Sequence, residues 1–270
     1  MHEDVRIPTT IDGRIFQDEK MYVALRNCER EHHRPLFMTE VAEALSMSQE
    51  DSRLWRPGIT TPSVQVTGKT NRGNNVVVFA HIPNYFSKPK SIQRAISNGL
   101  VDGAGQYPQC EFEYLLSKED GKNVFVVDYT VLVDASQKMY DSFNLEKHPM
   151  VIPFLGAAAE QYLSNASSLK MRITFQQDLH EKPYARLLQI STVEDDMEVL
   201  TVHELSAAHP LDGAGRFLAR KPRSLTPLER LAGKGTDVGR GLIVLYSEAL
   251  DDVQYQKLTY NPPLMRSRRQ

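Results

Sequence analysis

The sequence predicts an α+β (mixed α/β) fold, with a mainly helical N-terminal segment followed by a mixed-sheet core. Three observations point there. From residue 71 onward, apolar runs of strand length alternate with amphipathic stretches of helical spacing. Two stretches in the first seventy residues carry apolar side chains at helical intervals. The tetrapeptide Asp-Gly-Ala-Gly occurs twice, at 102–105 and 212–215, an echo that suggests internal duplication. The 270 residues suit one large domain or two small ones, and the predicted division is a segment 1–70 and a core 71–270.

In the N-terminal segment, Phe16 to Glu31 sets Phe16, Met21, Tyr22, Leu25 and Cys28 on one helical face, and Pro35 ends that helix. Thr39 to Leu45 follows as a short helix with Thr39 as its N-cap and Val41, Ala42 and Leu45 as its apolar face. Met38 to Trp55 has the rhythm of a helix-turn-helix, with Ser63–Gly68 and Asn75–His81 as a wing around the polar turn Lys69–Asn74. Its second helix offers Glu50 and Asp51 against Arg53, and carboxylates repel phosphates. A plain helical hairpin is therefore expected rather than a DNA reader.

In the core, Asn75–Ala80 reads as a buried strand because its valines are consecutive. Ser91–Asn98 is a helix stopped by Gly99, and Pro108–Leu116 is a second helix. Asn123–Leu132 is a strand and Leu155–Leu163 a helix. Met171–Phe175, Arg186–Ile190 and Leu242–Tyr246 are strands, with Val253–Tyr260 as an edge strand. The echo extends these into repeat units near 75–135 and 185–250, each a strand, helix, glycine turn, helix and strand, the second covering the apolar face of the first.

Charge narrows the functional classes. Thirty-two Lys and Arg against 34 Asp and Glu give a net charge of -2, too little for a whole-molecule field that selects DNA or anionic membrane. The two cysteines form no spaced motif, so neither a disulfide framework nor a zinc site is expected. The charged start Met1–Arg6 and the short apolar runs predict a cytoplasmic protein with no membrane partner.

The strongest local signal is cationic. Seven basic residues lie between Arg216 and Arg240, opposed by Glu229 and Asp237. Within that stretch Gly233–Gly241 offers side-chain-free amides flanked by Lys234 and Arg240, a chemistry that holds phosphate. It lacks the Walker spacing and precedes a strand, so no nucleotide-binding family is implied. The predicted ligand-binding set is Asp102, Asp212, Arg216, Lys234 and Arg240, and the predicted partner is a small phosphorylated or other anionic ligand, bound and conceivably turned over. One alternative is a structural or assembly subunit that forms oligomers through edge strands. Another is a nucleic-acid-associated protein using 216–240 and Arg266, Arg268 and Arg269, disfavoured because only Phe217 in the stretch is available for stacking.

No motif names a catalytic residue or a cofactor. There is no Gly-x-Ser-x-Gly elbow. His203 and His209 are six residues apart instead of four, which points them to different sides of a helix and leaves no metal site. His81 and His148 read as structural. Asp128 and Asp134 lie near strand ends without a feature that singles them out for acid–base work.

Overall fold

The computed structural model describes residues 2–6, 12–47, 58–137, 148–165, 170–175, 179–195, 200–221, 235–237 and 243–245. Residues Met1–Lys221 form one compact unit and Pro222–Gln270 a second.

The first unit is α+β. Its N-terminal part runs β1 (His2–Arg6), β2 (Asp12–Asp18), α1 (Met21–Arg30), β3 (Arg34–Pro35), α2 (Met38–Ser46), β4 (Ile59–Lys69) and β5 (Asn75–Ala80). There follow α3 (Pro89–Ser97), β6 (Gly105–Gln106), α4 (Gln109–Leu116), β7 (Val124–Asp128), α5 (Tyr129–Gln137), α6 (Val151–Leu155) and α7 (Ala159–Asn165). The unit closes with β8 (Lys170–Thr174), β9 (Tyr184–Asp195), β10 (Leu200–Ser206) and β11 (Gly215–Arg220). In the second unit, β12 (Gly235–Asp237) pairs antiparallel with β13 (Ile243–Leu245).

One 11-stranded sheet runs β1-β2-β11-β4-β9-β10-β8, with β5 and β7 continuing from β4. The sheet is buried on both faces, which explains the consecutive valines. Val77 and Phe79 of β5 join a core with α2, α5, α6 and α7, whereas Val76, Val78 and Ala80 join another with α1, α3 and α4. The same alternation splits Leu218 from Phe217 and Ala219, and Leu188 from Leu187.

Several expectations change. The first seventy residues are not mainly helical and do not stand apart, because β2 pairs with β11 and β4 with β9 in the shared sheet. Phe16 lies in β2, and the helix begins only at Met21. Thr39 sits inside α2, whose entry is held instead by Glu40 accepting the Phe37 N–H at 3.0 Å. The β4–β5 hairpin is as expected, with Lys69 opposite Asn75. The predicted second helix of the helix-turn-helix and the strand 253–260 lie outside the described residues. Asn123–Leu132 is not one strand: the Asp128 carboxylate accepts from the Thr130 N–H at 2.8 Å and starts α5. The repeat units also differ, since β9 and β10 form an antiparallel strand pair where a helix was expected.

β4 bends where it changes neighbours. Thr60 pairs with Phe217 of β11, and Val64 onward pairs with β5. Pro62, which has no N–H to give, sits at the changeover, where the register against β9 shifts. Ser63, just past the bend, accepts the Met38 N–H at 2.8 Å and so docks α2 on the sheet.

Candidate functional site

The two Asp-Gly-Ala-Gly turns meet. In the first, Val101 and Ala104 bond each other at 3.0 and 2.8 Å across Asp102 and Gly103. Both central residues are left-handed, at φ 48 and 83°, as a tight hairpin turn of this type requires. In the second, Gly213 N–H closes on Pro210 O at 3.1 Å, and neither Asp212 nor Gly213 has a positive φ. Four identical letters therefore take two different conformations. The turns touch through Leu211 N–H to Gly103 O at 3.0 Å, and a Cβ on Gly103 would stand 2.6 Å from Pro210 Cβ.

Arg186 of β9 holds the pair together. Its side chain is 4% exposed, donating to Ala208 O at 2.9 Å and to Asp102 O. One planar fork thus reaches the backbone of the first turn and of the segment that leads into the second, a geometry lysine cannot copy. Arg186→Met is expected to cost about 2–4 kcal/mol of stability, because the carbonyls of Asp102 and Ala208 lose charge-assisted partners on a buried guanidinium. Chemical denaturation of that variant beside Arg186→Lys measures it, with Lys recovering less than half of the loss.

The predicted ligand residues are only partly assembled. Asp102 and Asp212 are exposed at the paired turns. Arg216 is half-buried in β11 opposite Gln17, its N–H directed to Thr60 Oγ1 at 3.4 Å. Lys234 and Arg240 lie outside the described residues. Part of their glycine-rich loop, Gly235–Asp237, is strand β12 rather than loop.

Sequence reading missed Arg186. The available signal was a lone charge inside the apolar run Tyr184–Ile190, since a buried cation requires partners. Beside Arg186 lies a cavity of about 20 Å³, also lined by Gln65, Thr67, His180 and Tyr184. A larger cleft of about 700 Å³ opens between the β4–β5 turn, α4 and β7. Val76, Leu116 and Val126 line it together with Asn71, Arg72, Asn74, Glu113 and Glu119. Gln109 donates to Glu113, one of the lining residues, at 2.8 Å and to Lys69 O at 3.4 Å.

The remaining candidates are structural. His81 is buried, with Nε2 donating to Pro153 O at 2.9 Å, so its neutral ring accepts the Ser63 hydroxyl at Nδ1 across 3.0 Å. That serine–histidine pair has the composition of a nucleophile and base, yet Ser63 is fully buried and already accepts the Met38 N–H. Burial pushes the ring of His81 down to about 4, against the bond to Pro153 and the charge of Asp120. Burial does the same to His148, whose Nδ1 accepts the Met150 N–H at 3.1 Å. Hydrogen bonds from Thr130 hold the exposed Asp128 carboxyl below its ordinary value, the opposite of what a proton donor needs. Among the described residues, no three His, Cys, Asp or Glu side chains cluster to hold a metal ion, and no helix is long and apolar enough to cross a membrane.

No protein-family model matches the chain, and no curated protein does. Among solved structures, one described as the accommodation of massive sequence variation in Nanoarchaeota by the C-type lectin fold is 30% identical with a TM-score of 0.68. The match covers 80% of this chain and 100% of that one. With identity and fold shared along that entire neighbour, the chain belongs to the C-type lectin fold family.

Proposed function

We propose that this chain is a recognition module that binds a polar ligand bearing hydroxyl or amine groups in the cleft between the β4–β5 turn, α4 and β7. The observation that carries this reading is the cleft itself. Its volume of about 700 Å³ lies within the range of small-molecule sites, and it combines an apolar floor with a rim of amide, hydroxyl, carboxylate and guanidinium groups. The rim residues Asn71, Arg72, Asn74 and Glu119 are exposed, so their side chains contribute little to the core beneath. The neighbouring protein is described as a C-type lectin fold accommodating massive sequence variation. A frame of that kind supports a rim whose composition is set by what it binds.

The convergence of the Asp102 and Asp212 turns favours a second reading, a phosphorylated ligand held there with Arg216. One experiment separates the two. Backbone NMR of the full chain is followed while hydroxylated, amine-bearing and phosphorylated small molecules are titrated. Cleft recognition predicts saturable shifts at 70–76 and 113–119, about tenfold weaker in Asn71→Ala and in Glu119→Ala, with Tm within about 2 °C of the parent. Shifts confined to 101–104 and 210–216 support the second reading, and unchanged affinity in both variants overturns the cleft assignment.

A further inference from the structure

We propose that the cavity beside Arg186 is a site for one halide-sized anion, independent of the cleft. The buried Nε2 of His180 has no hydrogen-bond partner among the described groups, and it borders a cavity of about 20 Å³. A buried polar nitrogen without a partner destabilises the fold, so the cavity is selective for an occupant that satisfies it. The space suits a single occupant of about one solvent molecule or slightly more, too small for phosphate or a carboxylate ligand. Chemistry then selects the species. Arg186 brings a guanidinium to the wall at 4% exposure, which opposes a cation, and among the described residues no carboxylate lines the cavity. Thr67, 6% exposed, supplies a hydroxyl donor beside the imidazole. A monoatomic anion accepts from all of these without needing a fixed orientation.

The consequence reaches beyond the cavity. Arg186 also grips Asp102 O and Ala208 O, so an anion against the same guanidinium secures both paired turns. Halide binding is expected to stabilise the folded chain by mass action.

The test is thermal unfolding of the full chain in sodium chloride, bromide or gluconate at constant ionic strength. Chloride and bromide are expected to raise Tm saturably, by about 3–6 °C at tenfold excess over Kd, and gluconate is not. His180→Phe, which fills the cavity with a ring that cannot donate, is expected to abolish the rise. A bromide-grown crystal should show an anomalous peak within hydrogen-bond reach of His180 Nε2, a readout that holds even where the variant does not fold. An equal response to gluconate, or an ordered water without anomalous signal at that position, overturns the proposal. Neither outcome touches the cleft reading, because none of its titrated residues lines this cavity.

Discussion

Gly156→Ala is expected to lower Tm by about 10 °C, roughly 3–5 kcal/mol at 2–4 °C per kcal/mol for a unit of this size. Two costs add. Gly156 sits at φ 64 and ψ −146°, a region essentially closed to residues with a Cβ. Its Cβ would also stand 2.2 Å from Thr39 Cγ2 and 3.2 Å from both His81 Cδ2 and Lys122 O. Those neighbours belong to α2, the end of β5 and the loop before β7, and none yields without moving a buried helix or the imidazole bridge to Pro153. Gly121→Ala gives the cost of a positive φ without a clash, since Gly121 has φ 65° with nothing within 4 Å of the added carbon. Urea denaturation of both variants gives the difference. Equal losses would show that the packing around Gly156 is soft and that backbone conformation alone makes glycine necessary.

Acidification is the second large effect. His81 and His148 each titrate near 4 in the folded chain and near 6.5 when unfolded, so folding favours the neutral ring. The sign follows directly. Their stabilisation is complete above about pH 6.5, falls as pH drops toward 4, and levels off below that. Each ring contributes a slope of up to about 1.4 kcal/mol per pH unit within the window, or about 3 kcal/mol across it. Urea midpoints should hold from pH 7.5 to about 6.5 and then fall to pH 4.5, and His81→Asn should remove roughly half of the slope. A flat profile would mean that solvent reaches both rings. Glu40 does not confuse the reading. Burial pushes its carboxyl up, but Arg34, the Phe37 N–H and Arg220 outweigh burial and hold it below the ordinary value. Its contribution is therefore lost only at lower pH, as the carboxylate takes up a proton.

What could be read from residues alone followed the range of the forces involved. The valines of β5, the apolar faces of α3 and α4 and the polar turn at Lys69–Asn74 are local patterns, and each lies where periodicity put it. β4 was legible only from Ser63 on, because Thr60 and Thr61 before it are polar yet buried. Their environment is set by β9 and β11, far along the chain: Thr61 Oγ1 donates to Leu188 O at 2.9 Å. The role of Arg186 is not legible in the sequence, since it is acquired only once Asp102 and Ala208 are beside it. The echo itself was misleading: the same four letters serve a left-handed hairpin turn in one place and the approach to α1 in the other, where Gly213 O accepts the Met21 N–H at 2.9 Å.

The position of β11 between β2 and β4 bears on how the chain comes off the ribosome. Until residue 220 has been synthesised, the N-terminal hairpin and the strands from β4 onward have no bridge joining their hydrogen-bonded edges. Closing that gap requires contacts some two hundred residues apart, of the kind that slow folding and expose unpaired edges to other chains. Nascent chains stalled before Gly215 should therefore remain protease-sensitive and bind holdase chaperones. Release a few residues past Arg220 should lock the entire sheet in one cooperative step.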